Sequence, residues 1–354
     1  MRSAQKPFVV PVFLPHSGCP HRCVFCNQTQ ITGTSEDLAD PMASDALRRH
    51  ITHFLAYKTT DRGKAQIAFY GGNFLGLTPS AILYLLKTAQ AFIDSGHIHS
   101  IRFSTRPDTI GTETLDMIRN YSVSTIELGV QSMDDKVLSL SKRGHTAADS
   151  AQALELLKTA GYVTGVQIMP HLPGDDGSQS LKTAEALVAF RPDMARLYPT
   201  VVLSGSPLAR HYRQGRYQAA TLADAITLAK KIYLIFAKNS IPVIRMGLQA
   251  SESLAEARTI LAGPYHPAFG HLVRSALYRD MAMQALQQGP SVGNPLTLRL
   301  HPAVESVMRG MKNTNLERLK KEFRLEAIRI ITDDTIPTDS LICAGRSVSI
   351  QNLS

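Results

Sequence analysis

Neither a long apolar run nor a set of paired cysteines is available to this sequence. The run at 8–14 is broken by Pro11 and is short for a signal-peptide core, and no later stretch approaches the length needed to cross a bilayer. A soluble, cytoplasmic protein without membrane contact is the expectation. Four cysteines in 354 residues, three of them inside one short loop, cannot form a disulfide framework. Low-complexity tracts and blocks of like charge are also missing. The net charge of +9 is spread along the chain, so it suits a polyanionic partner such as RNA while an ordinary solvated surface stays the default. Apolar residues are plentiful at 44%, ample for one large α/β domain and a smaller one.

The clustered cysteines stand in His16 to Gln28, HSGCPHRCVFCNQ, with Cys19, Cys23 and Cys26 at C-x3-C-x2-C spacing. Gly18 and Pro20 disfavour helix and strand there, so three thiolates can converge on one centre. The count of three is informative. A structural zinc site wants four ligands and usually shows a second Cys or His pair further on, whereas three thiolates can hold three irons of a cubane and leave the fourth open. A zinc knuckle or a redox cysteine group is the plainer alternative. His16 and His21 flank the cysteines and are expected beside the metal rather than on it. Cys343, in the apolar SLICAG stretch, reads as a small buried hydrophobe.

Elsewhere short aliphatic runs alternate with amphipathic stretches of helical period. The spacing predicts strands at 9–14, 66–70, 100–104, 125–129, 163–169 and 195–201, and helices at 42–57, 79–95, 112–120, 147–160 and 179–190. Thr78 and Pro79 open the second helix. Polar and glycine motifs follow the strands: Gly71-Gly72-Asn73, STRPD at 104–108, GVQS at 129–132 and MPHLPGD at 169–175. In a parallel β/α barrel that is the side on which ligands sit. After a long helix at 222–239, Ile241 to Gln249 reads as a strand outside the repeating pattern, with a soft boundary between Ser240 and Ala250. The remainder, with helices at 267–288 and 313–323 and strands at 295–301, 326–332 and 340–350, reads as a small α/β cap. The expected division is 1–245 and 246–354.

The cysteine spacing, with Phe25 just before the third cysteine, resembles the radical S-adenosylmethionine (SAM) superfamily. The resemblance implies an incomplete (β/α)6 TIM-like barrel with a small α/β C-terminal extension. It also implies a [4Fe-4S] cluster on Cys19, Cys23 and Cys26, its open iron chelating the methionine part of SAM. A one-electron donor such as flavodoxin or ferredoxin would reduce the cluster, SAM would be cleaved, and the 5′-deoxyadenosyl radical would abstract a substrate hydrogen. By the same resemblance Phe25 meets the adenine of SAM, or else shields the cluster from water. Gly71 and Gly72 let the sheet edge approach the methionine amine, and Asn73 accepts a hydrogen bond from it in place of the acidic residue or threonine often found there. Ser104, where relatives commonly carry glutamate, reaches the ribose, as do Gln131 and Gln167. Arg143 faces the carboxylate, the alternative being a surface ion pair. His171, where relatives have glycine, is a substrate-side acid, base or donor, or only a turn residue.

The matches RLYPTV at 196–201, GSPL at 205–208, GRY at 215–217 and IPVIRMGLQ at 241–249 resemble the Elongator catalytic-subunit type, which modifies the wobble uridine of transfer RNA with the help of an acetyltransferase domain. No acyl-CoA pyrophosphate loop is evident, so tRNA carries over as the expected substrate and acetyl transfer does not. The stretch HYRQGRY at 211–217 interleaves rings and arginines as an RNA surface would, or as an exposed helix end does. Two other readings stand beside this one. The first resembles oxygen-independent coproporphyrinogen oxidases, acting on a small anionic tetrapyrrole; the second is an iron-sulfur binding protein that never cleaves SAM.

Overall fold

The computed structural model describes residues 7–20, 22–28, 31, 38–39, 44–57, 64–249, 254, 256, 258–288 and 295–353. Its first half alternates strand and helix: β1 Phe8–Phe13, α1 Ser44–Ala56, β2 Ala65–Tyr70, α2 Pro79–Asp94, β3 Ser100–Thr105, α3 Thr112–Ile118, β4 Val123–Gln131, α4 Asp135–Leu140, α5 Ala147–Thr159, β5 Val163–Ile168, α6 Ser178–Ala189 and β6 Met194–Leu197. There follow β7 Val202–Leu203, α7 Pro207–Arg213, α8 Leu222–Lys238, β8 Val243–Met246, β9 Ile260–Ala262 and α9 Phe269–Gln288. The chain closes with β10 Leu296–Leu300, α10 Glu305–Arg309, α11 Thr314–Phe323, β11 Ile328–Thr332, β12 Ser340–Cys343 and β13 Arg346–Ser349.

Seven strands form one sheet in the order β1-β2-β3-β4-β5-β6-β8, every neighbouring pair parallel. Because β1 to β6 each pair with the next and β8 extends the edge at β6, the sheet curls steadily into an open half-barrel, the incomplete TIM-like fold that the family resemblance implies. Alternate residues point to opposite faces. One set, including Ile67, Phe69, Ile101, Phe103, Ile126, Leu128, Val166 and Ile168, is buried in the core. The other faces the hollow of the barrel. Phe74, just past β2, stacks on both Phe69 (centroids 5.1 Å apart) and Phe103 (4.4 Å), fixing the β2 turn to the outer layer. The expected cap of α2 is present, with the Thr78 hydroxyl accepting from the Ala81 N–H and Pro79 opening the helix.

Two features differ from expectation. The strand expected outside the repeating pattern at 241–249 is β8, which pairs parallel with β6 through the α8 crossover and widens the main sheet. The single strand expected at 340–350 is the hairpin β12–β13. Ala344 (φ 49°) and Gly345 (φ 75°) are both left-handed, the paired conformation that a tight hairpin turn requires. With β10 and β11 the hairpin makes a second sheet, β11-β10-β12-β13. Leu298, Leu300, Leu341 and Val348 of this sheet belong to the same apolar core as the barrel. Cys343 is fully buried there, as its apolar context predicts.

Candidate active site

The cysteine loop is clasped at its two ends. The His16 N–H donates to the Gln28 side-chain oxygen, and the Gln28 N–H donates to His16 Nε2 at 3.1 Å. His16 therefore sits beside the cysteines with its ring nitrogen already engaged. His21 lies outside the described residues. Between the clasp points, Cys19 N–H turns back to the His16 carbonyl (3.2 Å) and Cys26 N–H to the Cys23 carbonyl (3.1 Å). Val24 bridges two other segments, donating to Ser141 (3.1 Å) and accepting from Leu208 (2.8 Å), and the Asn27 amide donates to the Ser204 carbonyl at 2.7 Å.

The seat of this loop is the turn after β2. Asn73 N–H donates to the Ser17 carbonyl (2.9 Å) and Asn73 Nδ2 to the Gly18 carbonyl (2.9 Å). The approach is close enough to demand glycine. A Cβ on Gly72 would stand 2.4 Å from the Ser17 oxygen, and one on Gly18 (φ +73°) 2.2 Å from the Asn73 oxygen. Gly71 needs its freedom for φ +96° instead. The glycine pair thus serves first to admit the cysteine loop, a use that the motif alone does not reveal.

Cys19, Cys23, Cys26, Phe25, Gly71, Gly72, Ser104, Gln131, Arg143 and Gln167 all line one cavity of about 600 Å³ in the hollow of the barrel. Gln131 ends β4 with φ 68°, left-handed for a residue that rarely adopts it, at a register shift between β4 and β5. Its side-chain oxygen accepts from Gln167 Nε2 at 3.1 Å. Ser104 lines the cavity and makes no side-chain hydrogen bond among the described residues. Arg143 is buried, not in a surface ion pair: Nη1 donates to Cys23 Sγ at 3.1 Å and Nη2 to the Gly129 carbonyl at 2.6 Å. Phe25 lines the cavity while packing on the small cluster of Val24, Val202, Leu208 and Ala209.

Two expected residues stand apart from the cavity. Asn73 is fully buried. Its Oδ1 accepts from the Arg106 N–H (2.9 Å) and lies within hydrogen-bond distance of the Thr105 (2.8 Å) and Thr109 (3.1 Å) hydroxyls, so its amide is occupied in joining the β2 and β3 turns to the cysteine loop. His171, at φ 63°, does not line the cavity either; its N–H donates to Asp175 (2.8 Å) and its carbonyl accepts from the Tyr217 hydroxyl (2.7 Å). It is a turn residue, and burial holds its imidazole below the ordinary histidine range.

The donor set suits an iron-sulfur cluster. Burial, then the neighbouring cysteines, push the Cys26 thiol up to about 12 and raise Cys19 as well, so these two thiols need a cation beside them to ionise. Among the described residues no three Cys, His, Asp or Glu side chains converge on the space of a single ion. A cubane spreads its thiolates over separate irons, and the three cysteines that line this cavity can supply them.

Sequence reasoning missed the lower cavity. Tyr70, Arg102, Glu127, Arg196 and Arg245 also line it. The trace was available: β3, β4, β6 and β8 are apolar strands each holding a charged residue at a barrel-facing position.

Comparison with known proteins agrees with this geometry. The family model of the radical SAM superfamily matches residues 13–187, and that of the Radical_SAM C-terminal domain matches 192–279. The chain is 31% identical over 141 residues to a tRNA uridine(34) acetyltransferase of Methanocaldococcus jannaschii, covering 39% of this chain and 25% of that protein. It is 28% identical over 276 residues to Elongator complex protein 3 of Mus musculus, covering 66% of this chain and 50% of the relative. The chain thus spans half or less of the length of these relatives. Among solved structures, the Methanocaldococcus infernus Elp3 with an N-terminal deletion shares the fold, at TM-score 0.60 and 19% identity over 82% of this chain and 70% of that one. No helix among the described residues is long and apolar enough to cross a membrane. With two adjoining family matches, a three-cysteine loop and a parallel half-barrel in agreement, the chain belongs to the radical SAM superfamily, whose enzymes use a [4Fe-4S] cluster and SAM.

Proposed function

We propose that the protein is a tRNA-modifying radical SAM enzyme in which Cys19, Cys23 and Cys26 hold the cluster, Gly71, Gly72, Ser104, Gln131, Gln167 and Phe25 hold SAM, and Arg143 serves both. When bound, the cluster supplies the electron that cleaves SAM to methionine and a 5′-deoxyadenosyl radical. The chain's own contribution is positional. The Gln131 and Gln167 amides are already hydrogen-bonded to each other, so a ribose meets a fixed edge rather than two free rotors. Arg143 puts a guanidinium against the sulfur of Cys23, where it can balance thiolate charge and present a donor to a carboxylate. The curled sheet walls the cavity on the strand side and limits the water that reaches it.

The observation that carries the reading is the gathering of all three cysteines, the glycine pair, Gln131 and Arg143 on one cavity. Support for tRNA comes from the names of the relatives and from a basic cluster at the end of α7. Arg216, Lys142 and Arg210 lie close enough to His211 to act on it electrostatically, which brings the α7 end beside the loop that carries Arg143. The electron donor is proposed as a flavodoxin or ferredoxin.

Anaerobic reconstitution, reduction and addition of SAM, with and without tRNA, tests the reading. 5′-Deoxyadenosine should form, faster with tRNA, and binding of tRNA should weaken steeply as salt rises. An intact cluster that never cleaves SAM would mark a binding protein instead.

A further inference from the structure

Beneath Gly71, Ser104 and Gln131, strands β2, β3, β4, β6 and β8 turn a second set of side chains into the hollow: Tyr70, Arg102, Glu127, Arg196 and Arg245. Glu127 is the hub. It accepts from Arg196 Nη2 at 2.9 Å and the Tyr70 hydroxyl at 3.3 Å, and pairs with Arg102 Nε at 3.4 Å. Arg196 lies over the Tyr70 ring, 5.1 Å from its centroid, and donates to the Tyr198 hydroxyl at 3.2 Å. Burial, and after it the Glu127 carboxylate, push the Tyr70 hydroxyl up and keep it a neutral donor. Gly165 makes room for the hub, since a Cβ there would stand 3.0 Å from Glu127 Cγ.

Charge is left over. Two guanidiniums, of Arg102 and Arg196, share the Glu127 carboxylate, and a third, Arg245, opposite Arg196 in the sheet register, makes no ion pair or side-chain hydrogen bond among the described residues. At the rim, Arg106 is bidentate to Asp108 (2.9 Å twice) and Arg143 faces Cys23, while Arg22 of the cysteine loop is exposed to solvent. The floor therefore holds a half-buried guanidinium without a counter-charge among the described residues, a donor fork that an anion entering the cavity would engage.

We infer that the floor of the cavity, Arg245 with the Arg102–Glu127–Arg196 cluster, is a subsite for an oxyanion of the substrate, a phosphate or a carboxylate. Glu127 holds two of the guanidinium forks in fixed orientation, and Arg245 supplies the free one. The subsite rests on the reading of the cavity as the SAM-cleaving centre. It adds an anchor away from the reacting atoms, where binding energy can fix the substrate's approach.

The reconstituted, SAM-loaded protein is titrated calorimetrically with inorganic phosphate, uridine 5′-monophosphate, uridine and glutarate. One anion should bind saturably at a single site. Arg245→Gln should weaken it at least about tenfold, with Arg245→Lys in between because the charge stays and the fork is lost. Iron content controls for folding. Preference for the monophosphate over uridine assigns a phosphate, and preference for glutarate a carboxylate. Wild-type protein that binds neither, or binding indifferent to Arg245→Gln, overturns the subsite. Deoxyadenosine formed without anion binding removes the subsite alone, and anion binding without deoxyadenosine removes the enzyme reading alone.

Discussion

The rim of the cavity is made of backbone and glycine, its floor of charged side chains. At the rim, the cysteine loop and the β2 turn touch carbonyl to amide, and the contact exists because Gly18 and Gly72 carry no Cβ. On the floor, strands already fixed by the sheet carry Arg102, Glu127, Arg196 and Arg245 at inward positions. Steric fit therefore governs the rim and charge balance the floor. A rim substitution should destroy the metal centre and leave the barrel standing; a floor substitution should weaken the barrel while the cysteine loop keeps its shape.

Gly18→Ala and Gly72→Ala strain that distinction most. Each added methyl would stand within van der Waals exclusion of a backbone oxygen, at 2.2 and 2.4 Å, and no flexible side chain is there to move aside. Both variants should lose bound iron and sulfide almost completely at unchanged far-ultraviolet circular dichroism. Iron retained at the wild-type level would show that the loop can reseat itself.

On the floor, Glu127→Ala leaves Arg102 and Arg196 facing each other without their carboxylate. Breaking a buried pair by removing one partner costs about 3–5 kcal/mol, read as a fall in the denaturant midpoint. Glu127→Gln should cost less, because the amide oxygen still accepts. Equal losses for the two variants would mean that packing, and not charge, holds the floor together.

Asn73 belongs to the rim and obeys hydrogen bonding instead of steric fit. Asn73→Ala deprives the Gly18 carbonyl and the Arg106 N–H of partners inside a fully buried turn, at about 2 kcal/mol. It should also lower iron occupancy, because the cysteine loop loses one of its two ties to the β2 turn. A stability loss without any loss of iron would confine Asn73 to the β2–β3 junction.

The same contrast explains what was legible in the residues alone. The cysteine loop, the glycine pair and GVQS are local motifs, and the parallel βα sheet follows from the period of its strands, so both can be read along the chain, with the barrel closure supplied by the family resemblance. Asn73 was assigned to a ligand because its partners at 17–18 and 105–109 are brought to it only by folding. The strand at 241–249 reads as one outside the repeating pattern because β7 and α7 interrupt the alternation before α8, while its pairing with β6 is a fact of register. The floor was missed for a related reason. One charged residue in an apolar strand has no meaning until neighbouring strands put four such residues at one height.

His145 offers the smallest and most selective probe of the rim. Its Nε2 lies 3.2 Å from the Val130 carbonyl, just before Gln131, and its ring is buried. Burial first, then Arg143 and Arg106, hold its imidazole down at about 4, against about 6.5 in the unfolded chain, with Asp108 pulling weakly the other way. Between those values the unfolded chain binds a proton that the folded one refuses, so stability falls as pH drops below about 6.5 and the loss continues to about 4. At about pH 5.5 the deficit is of the order of 1 kcal/mol. His145→Gln, whose amide can still reach Val130, should remove that part of the acid dependence and leave the denaturant midpoint near neutrality almost unchanged. An acid limb as steep in His145→Gln as in the wild type would place the proton uptake elsewhere in the chain.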